Sequence, residues 1–270
     1  MGGAEHMKPV NVINNLVKKQ GGILQSLSSF SSGDEILTVG LSLFSSLSNE
    51  DLFLKATELL HPGEMNTGNG YVSEIRKRSF LQGRIAGKMA VNILFPDVHT
   101  AGIQIETGAL GAPVLKNLTY PVGISIAHDD LWNAGLCFPL SIRMGIDVET
   151  IREKNRTIIS SILTGIEKEM CSAEDNPLEY LHLLWTAKEA AGKAIGLGFR
   201  APVGWYEIDL VETIRPNPQL ICRCRFKELT VFTVLSVKIP GGMLSIAFPA
   251  ENNLEQPMTR LLEQLVMDSN

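Results

Sequence analysis

The chain has 270 residues, of which 44% are hydrophobic and 20% charged, and its formal net charge is −5. This length fits one large domain or two small ones, and the composition excludes a disordered chain. No apolar run approaches the ~20 residues of a membrane span, no signal peptide is recognisable, and the acidic balance disfavours duplex nucleic acid. We therefore expect a cytoplasmic protein with no membrane or nucleic-acid partner, in which the four cysteines stay reduced.

Residues 1–35 are predicted to be an N-terminal extension, in which 1–6 are interpreted as a tag remnant and 26–33 as a serine-rich loop. An N-terminal half is predicted over 36–143. Its predicted elements in chain order are a strand at 36–44, a helix at 52–60 capped by Ser48, a glycine-rich loop at 62–70, a long helix at 73–94 stopped by Pro96, a strand at 102–107, a turn at 108–113 and a strand pair at 122–128 and 133–138.

A C-terminal half is predicted over 144–270. Its predicted elements are a strand at 144–149, helices at 156–163, 165–170 and 178–195, strands at 205–212, 221–226, 231–239 and 243–248, and a helix at 258–267. The order strand, short helix, loop, long helix, strand, strand thus occurs twice. This repetition predicts an α+β fold of two similar halves around a pseudo-twofold axis, with a site in the cleft between them. The alternative is the loose repetitiveness of any α+β chain.

Two carboxylates alternate with apolar residues in Gly-Ile-Asp-Val-Glu at 145–149. On a strand, Ile146 and Val148 then face a core, while Asp147 and Glu149 share the other face. Neighbouring carboxylates repel unless a cation lies between them, and their oxygens suit Mg²⁺. A solvated strand face is the alternative for this pattern alone.

The predicted long helix of the second half carries the segment Trp-Thr-Ala-Lys-Glu-Ala-Ala-Gly-Lys at 185–193. At 100° per residue, Lys188, Glu189 and Lys193 share one arc with Trp185, opposite an arc of alanines. A solvated face with one Glu189–Lys193 pair is the alternative. A tryptophan centred on a polar arc needs a packing partner, so this arc is predicted to face another part of the protein.

Three weaker features stand in the first half. His128 is predicted to end a strand, where a lone histidine is more often structural than functional. The basic run 76–78, with Arg84 and Lys88 on the same predicted helix, fits either a solvated face or a phosphate site. The turn at 108–113 is too short to indicate a function by itself.

Taken together, these segments resemble the 4′-phosphopantetheinyl transferases, specifically the type that activates surfactin and enterobactin synthetases. The segments 125–128, 145–149 and 185–193 are similar, in that order, to the family's S-x-S-H, G-[IV]-D-[VI]-E and W-x-x-K-E-[AS]-x-x-K patterns. Residues 76–84 resemble its R-x-x-x-F-x-x-G-R helix, and 111–113 its G-x-P turn. Ala112 and Ala127 depart from the lysine and the hydroxyl residue that many members carry there.

The resemblance implies an enzyme that transfers the phosphopantetheine arm of coenzyme A to a serine of an apo acyl or peptidyl carrier protein and releases 3′,5′-ADP. Such enzymes serve fatty acid, polyketide or nonribosomal peptide biosynthesis. It also implies a monomer, because members of half this length trimerise and the doubled chain would build one such interface internally. The alternatives are a non-catalytic module that binds coenzyme A or a carrier protein, and another Mg²⁺-dependent enzyme acting on a pyrophosphate.

The resemblance also implies roles for individual residues. Mg²⁺, or Mn²⁺, would be held by Asp147, Glu149 and Glu189. The catalytic residues would be Glu189, as base, metal ligand or both, with Lys188 and Lys193 neutralising phosphate charge. The residues implied to bind coenzyme A are Arg76, Arg84, Gly111, Ala112, Pro113, Ala127, His128, Lys188 and Lys193.

Overall fold

The computed structural model describes residues 12–20, 23–32, 35–216, 220–252 and 254–267. The strands in these ranges are β1 (Val12–Gln20), β2 (Ile23–Ser32), β3 (Glu35–Ser45), β4 (Gln104–Thr107), β5 (Pro113–Lys116), β6 (Val122–His128), β7 (Trp132–Pro139), β8 (Gly145–Thr150), β9 (Ile208–Arg215), β10 (Ile221–Phe226), β11 (Phe232–Ile239) and β12 (Gly242–Pro249). The α-helices are α1 (Asn49–Leu59), α2 (Pro62–Asn69), α3 (Glu74–Leu94), α4 (Arg156–Ser161), α5 (Gly165–Ser172), α6 (Pro177–Ile195) and α7 (Glu255–Met267).

The strands form two five-stranded sheets with the same kind of construction. The first has the order β1-β2-β3-β7-β6 and the second the order β8-β12-β11-β10-β9, while β4 and β5 pair separately. Neighbouring strands in both sheets are antiparallel. Helices and antiparallel sheets in two similar halves confirm the predicted α+β fold.

The two sheets face each other across a shared apolar core. Leu41 and Leu136 from the first sheet join Ile146 and Leu244 from the second in this core, and α7 contributes Leu261. The outer face of each sheet is covered by a long helix, α3 on the first and α6 on the second. The molecule is thus layered helix, sheet, sheet, helix, and β8 lies beside the edge strand β6 of the other half.

Glycines on β3 and β8 let the long helices pack closely against the strands in both halves. A Cβ atom on Gly40 would lie 2.6 Å from the carbonyl oxygen of Ala90 in α3. A Cβ atom on Gly145 would lie 2.1 Å from the carbonyl oxygen of Ala190 in α6. Both distances exclude any larger residue, so the first strand of each repeat meets its helix at a corresponding point.

Several predicted elements need correction. The loop predicted at 62–70 is helix α2, because His61 caps it: the His61 Nδ1 accepts from the Gly63 N–H at 3.0 Å, and Glu64 accepts from the His61 N–H at 2.8 Å. The serine-rich loop predicted at 26–33 belongs to β2 as far as Ser32, and residue 33 lies outside the described residues.

Two further regions differ from the prediction. The extension predicted over residues 1–35 supplies β1 and β2 to the first sheet, and the interpreted tag remnant at 1–6 lies outside the described residues. The strand predicted at 205–212 begins later, because Val203–Tyr206 form a 3₁₀ turn before β9. None of the helices described by the structure is long and apolar enough to cross a bilayer.

Candidate functional site

The carboxylates of β8 face α6, as the alternation of the sequence predicts. Ile146 and Val148 are buried in the core between the sheets. Asp147 is 5% exposed, and its Oδ1 accepts a hydrogen bond from Lys193 Nζ at 2.7 Å. Its other oxygen, Oδ2, is buried without a hydrogen-bond partner among the described residues. Asp147 therefore presents one lone-pair-bearing oxygen that the surrounding protein does not satisfy.

Trp185 links the polar arc of α6 to β8. Its side chain is half-buried, and its Nε1–H donates to Glu149 Oε1 at 3.3 Å. This contact confirms that the arc faces another part of the protein. It also fixes Glu149 beside the helix that carries Glu189 and Lys193.

The carboxylates of Asp147, Glu149 and Glu189 form one electrostatic cluster. Burial, and then the charge of Asp147, raise the pKa of Glu149 to about 7. The same two causes raise the pKa of Glu189 to about 7, against the attraction of Lys193. Burial also raises the pKa of Asp147, and Lys193 opposes that shift. Three acids that resist simultaneous ionisation are stabilised as anions by a cation placed among them.

The donor chemistry of this cluster fits a hard divalent cation. All three side chains offer carboxylate oxygens, and no described residue hydrogen-bonds to Asp147 Oδ2. In the described part of the chain, no three His, Cys, Asp or Glu side chains are arranged closely enough to hold a metal ion as they stand. The ammonium of Lys193 occupies Asp147 Oδ1 instead. Magnesium at this cluster stays a prediction, which requires the side chains to draw together around the ion.

A cavity of about 590 Å³ lies between the halves, beside this cluster. The first half lines it with Gly111, Ala112 and Pro113, and the second half with Glu189 and Lys193. The turn that carries the first group is sharp, because Leu110 and Gly111 have φ angles of 60° and 87°. The structure thus brings the predicted G-x-P turn and two of the predicted residues of α6 to one cavity.

His128 ends β6, as predicted, and stands between the halves. Its Nδ1 lies 3.1 Å from Ser79 Oγ on α3, and its side chain is exposed. Although the side chain keeps solvent access, partial desolvation of the ring lowers the pKa of His128, and the positive charges of Lys193 and Arg84 lower it further. These charges make the surroundings of His128 attractive to an anion.

The predicted arginines lie on α3 and outside the cavity wall. The Arg84 guanidinium carbon lies 4.6 Å from the centre of the Phe80 ring, and its buried Nε has no hydrogen-bond partner in the described ranges. Arg76 is exposed, with its guanidinium carbon 5.2 Å from the centre of the Tyr71 ring. Neither is among the described residues that line the cavity, and their contact with a nucleotide stays a prediction.

Two predicted site residues point elsewhere. Lys188 is fully buried, and its Nζ lies 2.7 Å from each carboxylate oxygen of Glu167 on α5. Ala127 is 2% exposed, and its methyl group packs in the core between the sheets. Both side chains face the interior in this structure, and contacts of these two residues with coenzyme A stay predictions.

Two residues of the site were not predicted. Arg143 lines the cavity and is exposed, with no ion-pair partner among the described residues. The sequence offers a signal for Arg143, because it is the only charged residue between Asp130 and Asp147. Tyr206 is fully buried and donates its hydroxyl to the carbonyl oxygen of Gly198, which lines the cavity. The sequence offers no comparable signal for Tyr206.

Known proteins resemble the part of the chain that holds this cluster. The family model described as "4'-phosphopantetheinyl transferase superfamily" matches residues 143–242, which include β8 and α6. Three curated relatives bear the name Holo-[acyl-carrier-protein] synthase. The relative from Geotalea daltonii is 29% identical over 79 residues, which is 29% of this chain and 63% of the relative. The relative from Chloroherpeton thalassium is 30% identical over 95 residues, 33% of this chain and 78% of the relative. The relative from Halalkalibacterium halodurans is 32% identical over 87 residues, 29% of this chain and 73% of the relative.

Proposed function

Because this chain belongs to the 4′-phosphopantetheinyl transferase superfamily, we propose that it transfers the 4′-phosphopantetheine arm of coenzyme A to a serine of an apo acyl carrier protein. The superfamily predicted from the sequence is confirmed, while the surfactin- and enterobactin-type subfamily stays a prediction. The relatives' name, Holo-[acyl-carrier-protein] synthase, supports this reaction. The observation that carries the proposal is that Glu189 and Lys193 line a cavity between the two halves, while Lys193 also pairs with Asp147 of the carboxylate cluster.

The transfer replaces one phosphorus–oxygen bond by another. The serine oxygen attacks the phosphorus that bears the pantetheine arm, the bond to the bridging oxygen breaks, and 3′,5′-ADP leaves. The serine proton passes to a base. Glu189 is the predicted residue for this role, because its carboxylate lies at the cavity wall. Whether Glu189 acts as base, metal ligand or both stays open.

Lys193 and the three carboxylates have different electrostatic roles in the proposed reaction. Lys193 lines the cavity while it pairs with Asp147, so its ammonium can stabilise negative charge on a phosphate that enters there. Asp147, Glu149 and Glu189 would hold Mg²⁺, which when bound neutralises the pyrophosphate and favours departure of the leaving group.

The remaining contacts to coenzyme A come mostly from the first half. The turn at 111–113 lines the cavity, and His128 offers a ring nitrogen near two cationic side chains. Arg143 supplies a further cation at the cavity wall. Arg76 and Arg84 are proposed to approach the nucleotide from α3. The reaction consumes coenzyme A and a carrier protein, which agrees with the proposed cytoplasmic location.

The test is the intact mass of an apo acyl carrier protein after incubation with this protein, coenzyme A and Mg²⁺. A mass gain of one phosphopantetheine arm supports the proposal. Coenzyme A binding without a mass gain would favour the non-catalytic module, and turnover of a different pyrophosphate would favour the third alternative. Asp175→Asn, at an exposed position between α5 and α6, is a matched control for carboxylate variants of the site. A panel of fatty acid, polyketide and peptide synthetase carriers then identifies the pathway.

The proposal includes a monomeric protein. The shared core between the two sheets lies within one chain, and it joins the halves as a subunit interface would. We expect light scattering to give a mass near 29.5 kDa. A stable trimer would contradict this part of the proposal.

A further inference from the structure

We propose that Lys188 is a positioning residue, which sets the place of the Glu189 carboxylate at the cavity through a buried ion pair with Glu167. The inference rests on the proposed function, because it concerns the working position of Glu189. It replaces the predicted contact between Lys188 and phosphate with a role inside the protein.

The ion pair joins three elements around α6. Both carboxylate oxygens of Glu167 lie 2.7 Å from Lys188 Nζ, and both side chains are fully buried. Glu167 Oε1 also accepts from the Ile208 N–H at the start of β9, at 2.8 Å. Glu167 Oε2 accepts from the Thr164 N–H at the N-terminus of α5, also at 2.8 Å. Lys188 therefore attaches the middle of α6 to α5 and β9 through one carboxylate.

The first half contains the same arrangement. Lys88 on α3 lies 2.9 Å from Glu64 on α2, and both side chains are buried. Glu64 accepts from the Ile105 N–H in β4 and from the His61 N–H at the N-terminus of α2, both at 2.8 Å. Each of these residues precedes its counterpart in the second half by 100 to 103 positions. A buried lysine–glutamate ion pair thus occurs at corresponding positions in both halves.

The two lysines differ in their further contacts and in the residue that follows them. Lys88 also donates to the carbonyl oxygens of Thr100, at 2.9 Å, and of Ile103. Met89 follows Lys88, whereas Glu189 follows Lys188. Ala190, the next residue, packs against Gly145 at the start of β8. Glu189 therefore lies between two fixed points, the ion pair on one side and the contact with β8 on the other. If the ion pair is lost, α6 is no longer held at Lys188. The distance from the Glu189 carboxylate to the carboxylates of β8 is then no longer fixed.

The experiment compares Lys188→Met with Lys88→Met in the full chain. Each variant leaves a buried glutamate without its cation, so we expect both melting temperatures to fall by about 10 °C. At a temperature where both are folded, Lys188→Met should lower kcat by roughly 10- to 100-fold, because a displacement of about 1 Å costs about that much. Lys88→Met should keep kcat within about twofold of the wild type, since no carboxylate of the site follows it.

A calorimetric titration with Mg²⁺ gives a readout that does not depend on turnover. Lys188→Met should bind Mg²⁺ more weakly than Lys88→Met does, and both should bind coenzyme A with nearly wild-type affinity. The double variant Lys188→Met with Glu167→Gln removes both buried charges and keeps an acceptor for the Ile208 N–H. It should recover melting temperature and part of kcat, because no buried charge is left unpaired.

Two results would overturn the inference. Equal kcat and Mg²⁺ affinity in Lys188→Met and Lys88→Met would make the pair purely a matter of stability. A loss of coenzyme A affinity of more than tenfold in Lys188→Met, not recovered in the double variant, would make Lys188 a phosphate ligand. If the wild type modifies no carrier but Lys188→Met alone weakens Mg²⁺ binding, the proposed function fails while the positioning role stands.

Discussion

The two halves share one framework, but only the second carries the carboxylates. Because Gly40 and Gly145 meet α3 and α6 at corresponding points, residues two and four positions further along β3 and β8 also correspond. Ser42 and Phe44 thus stand where the second half has Asp147 and Glu149, and Met89 stands where it has Glu189. The two halves therefore share a fold but not the carboxylate side chains.

In the first half, the residues at the positions of the three carboxylates hydrogen-bond or pack within their own half. The Ser42 hydroxyl donates to the carbonyl oxygen of Ala86 on α3 at 2.7 Å, which satisfies it locally. Phe44 and Met89 pack together in an apolar cluster under α3. Asp147, by contrast, keeps an oxygen without a hydrogen-bond partner in the part of the chain that the structure describes. The first half contributes to the cavity through its 111–113 turn instead, so residues of both halves line this cavity.

The largest expected effect comes from Asp147→Ala. The site would lose the carboxylate that contacts Lys193 and offers a free oxygen, while the substrate phosphates keep their charge. We expect transfer to fall by at least about 10²–10³-fold, as measured by carrier-protein mass. Ser42→Asp, the corresponding change in the first half, should create no second site, because Phe44 and Met89 supply no further ligands. Near wild-type turnover of Asp147→Ala in Mg²⁺ would refute the metal assignment.

Glu189→Gln tests the next difference between the halves. The change keeps the shape of the side chain but removes its charge and basicity, so transfer should fall by roughly 10²-fold or more. Coenzyme A binding should change less, because Lys193 and the arginines remain. Glu174→Gln, at an exposed position after α5, is the matched control. A full rate together with a slightly lower melting temperature would leave Glu189 without a chemical role.

The sequence predicted the elements that carry local signals. Alternation placed Asp147 and Glu149 on one face of β8, and Ser73 and Pro96 marked the ends of the helix that became α3. Helix α6 ends at Ile195, the last residue of the helix predicted at 178–195, where Gly196 with a φ of 81° caps it. These signals act within a few residues, so a single sequence contains them.

The structure differs from the sequence-based expectation where the packing partner of a residue is distant in sequence. Lys188 belongs to the polar arc of α6, but only the fold shows that Glu167 faces it inside the protein. Ala127 and His128 are neighbours on β6, and neighbouring side chains of a strand point to opposite faces. Because His128 faces outward, the methyl group of Ala127 lies in the core. Helix α2 was missed because its cap is a histidine, whereas its counterpart α5 has the recognisable capping box of Thr164 and Glu167.

His128→Ala tests a contact that the halves use differently. When the strand registers of the two sheets are aligned, Lys238 on β11 is the counterpart of His128. Lys238 pairs with Glu179 on α6 at 2.7 Å. Loss of a charged hydrogen bond to phosphate, worth about 1.5–3 kcal/mol, should weaken coenzyme A binding by roughly 10- to 100-fold in calorimetry. Lys238→Ala should leave that affinity unchanged. Unchanged affinity in His128→Ala would assign His128 to the structure alone.

The smallest effect is a pH dependence of stability that only the second half produces. Without metal, burial and mutual repulsion raise the pKa of Glu149 and of Glu189 from 4.5 to about 7. Between these values the folded protein binds more protons than the unfolded chain, so these groups make stability fall as pH rises. Because of these two carboxyl groups, we expect the metal-free protein to melt about 5–10 °C higher near pH 5 than near pH 7.5.

The double variant Glu149→Gln with Glu189→Gln isolates that contribution, because other groups titrate over the same range. Its melting temperature should change less between the two pH values than that of the wild type, and the difference between the proteins is the contribution of the two carboxylates. Addition of Mg²⁺ near pH 7.5 should raise the melting temperature of the wild type and not that of the double variant, since a bound cation relieves the repulsion among the anions. Parallel pH profiles for the two proteins would mean that Glu149 and Glu189 add no pH dependence to the stability, like Phe44 and Met89, their counterparts in the first half.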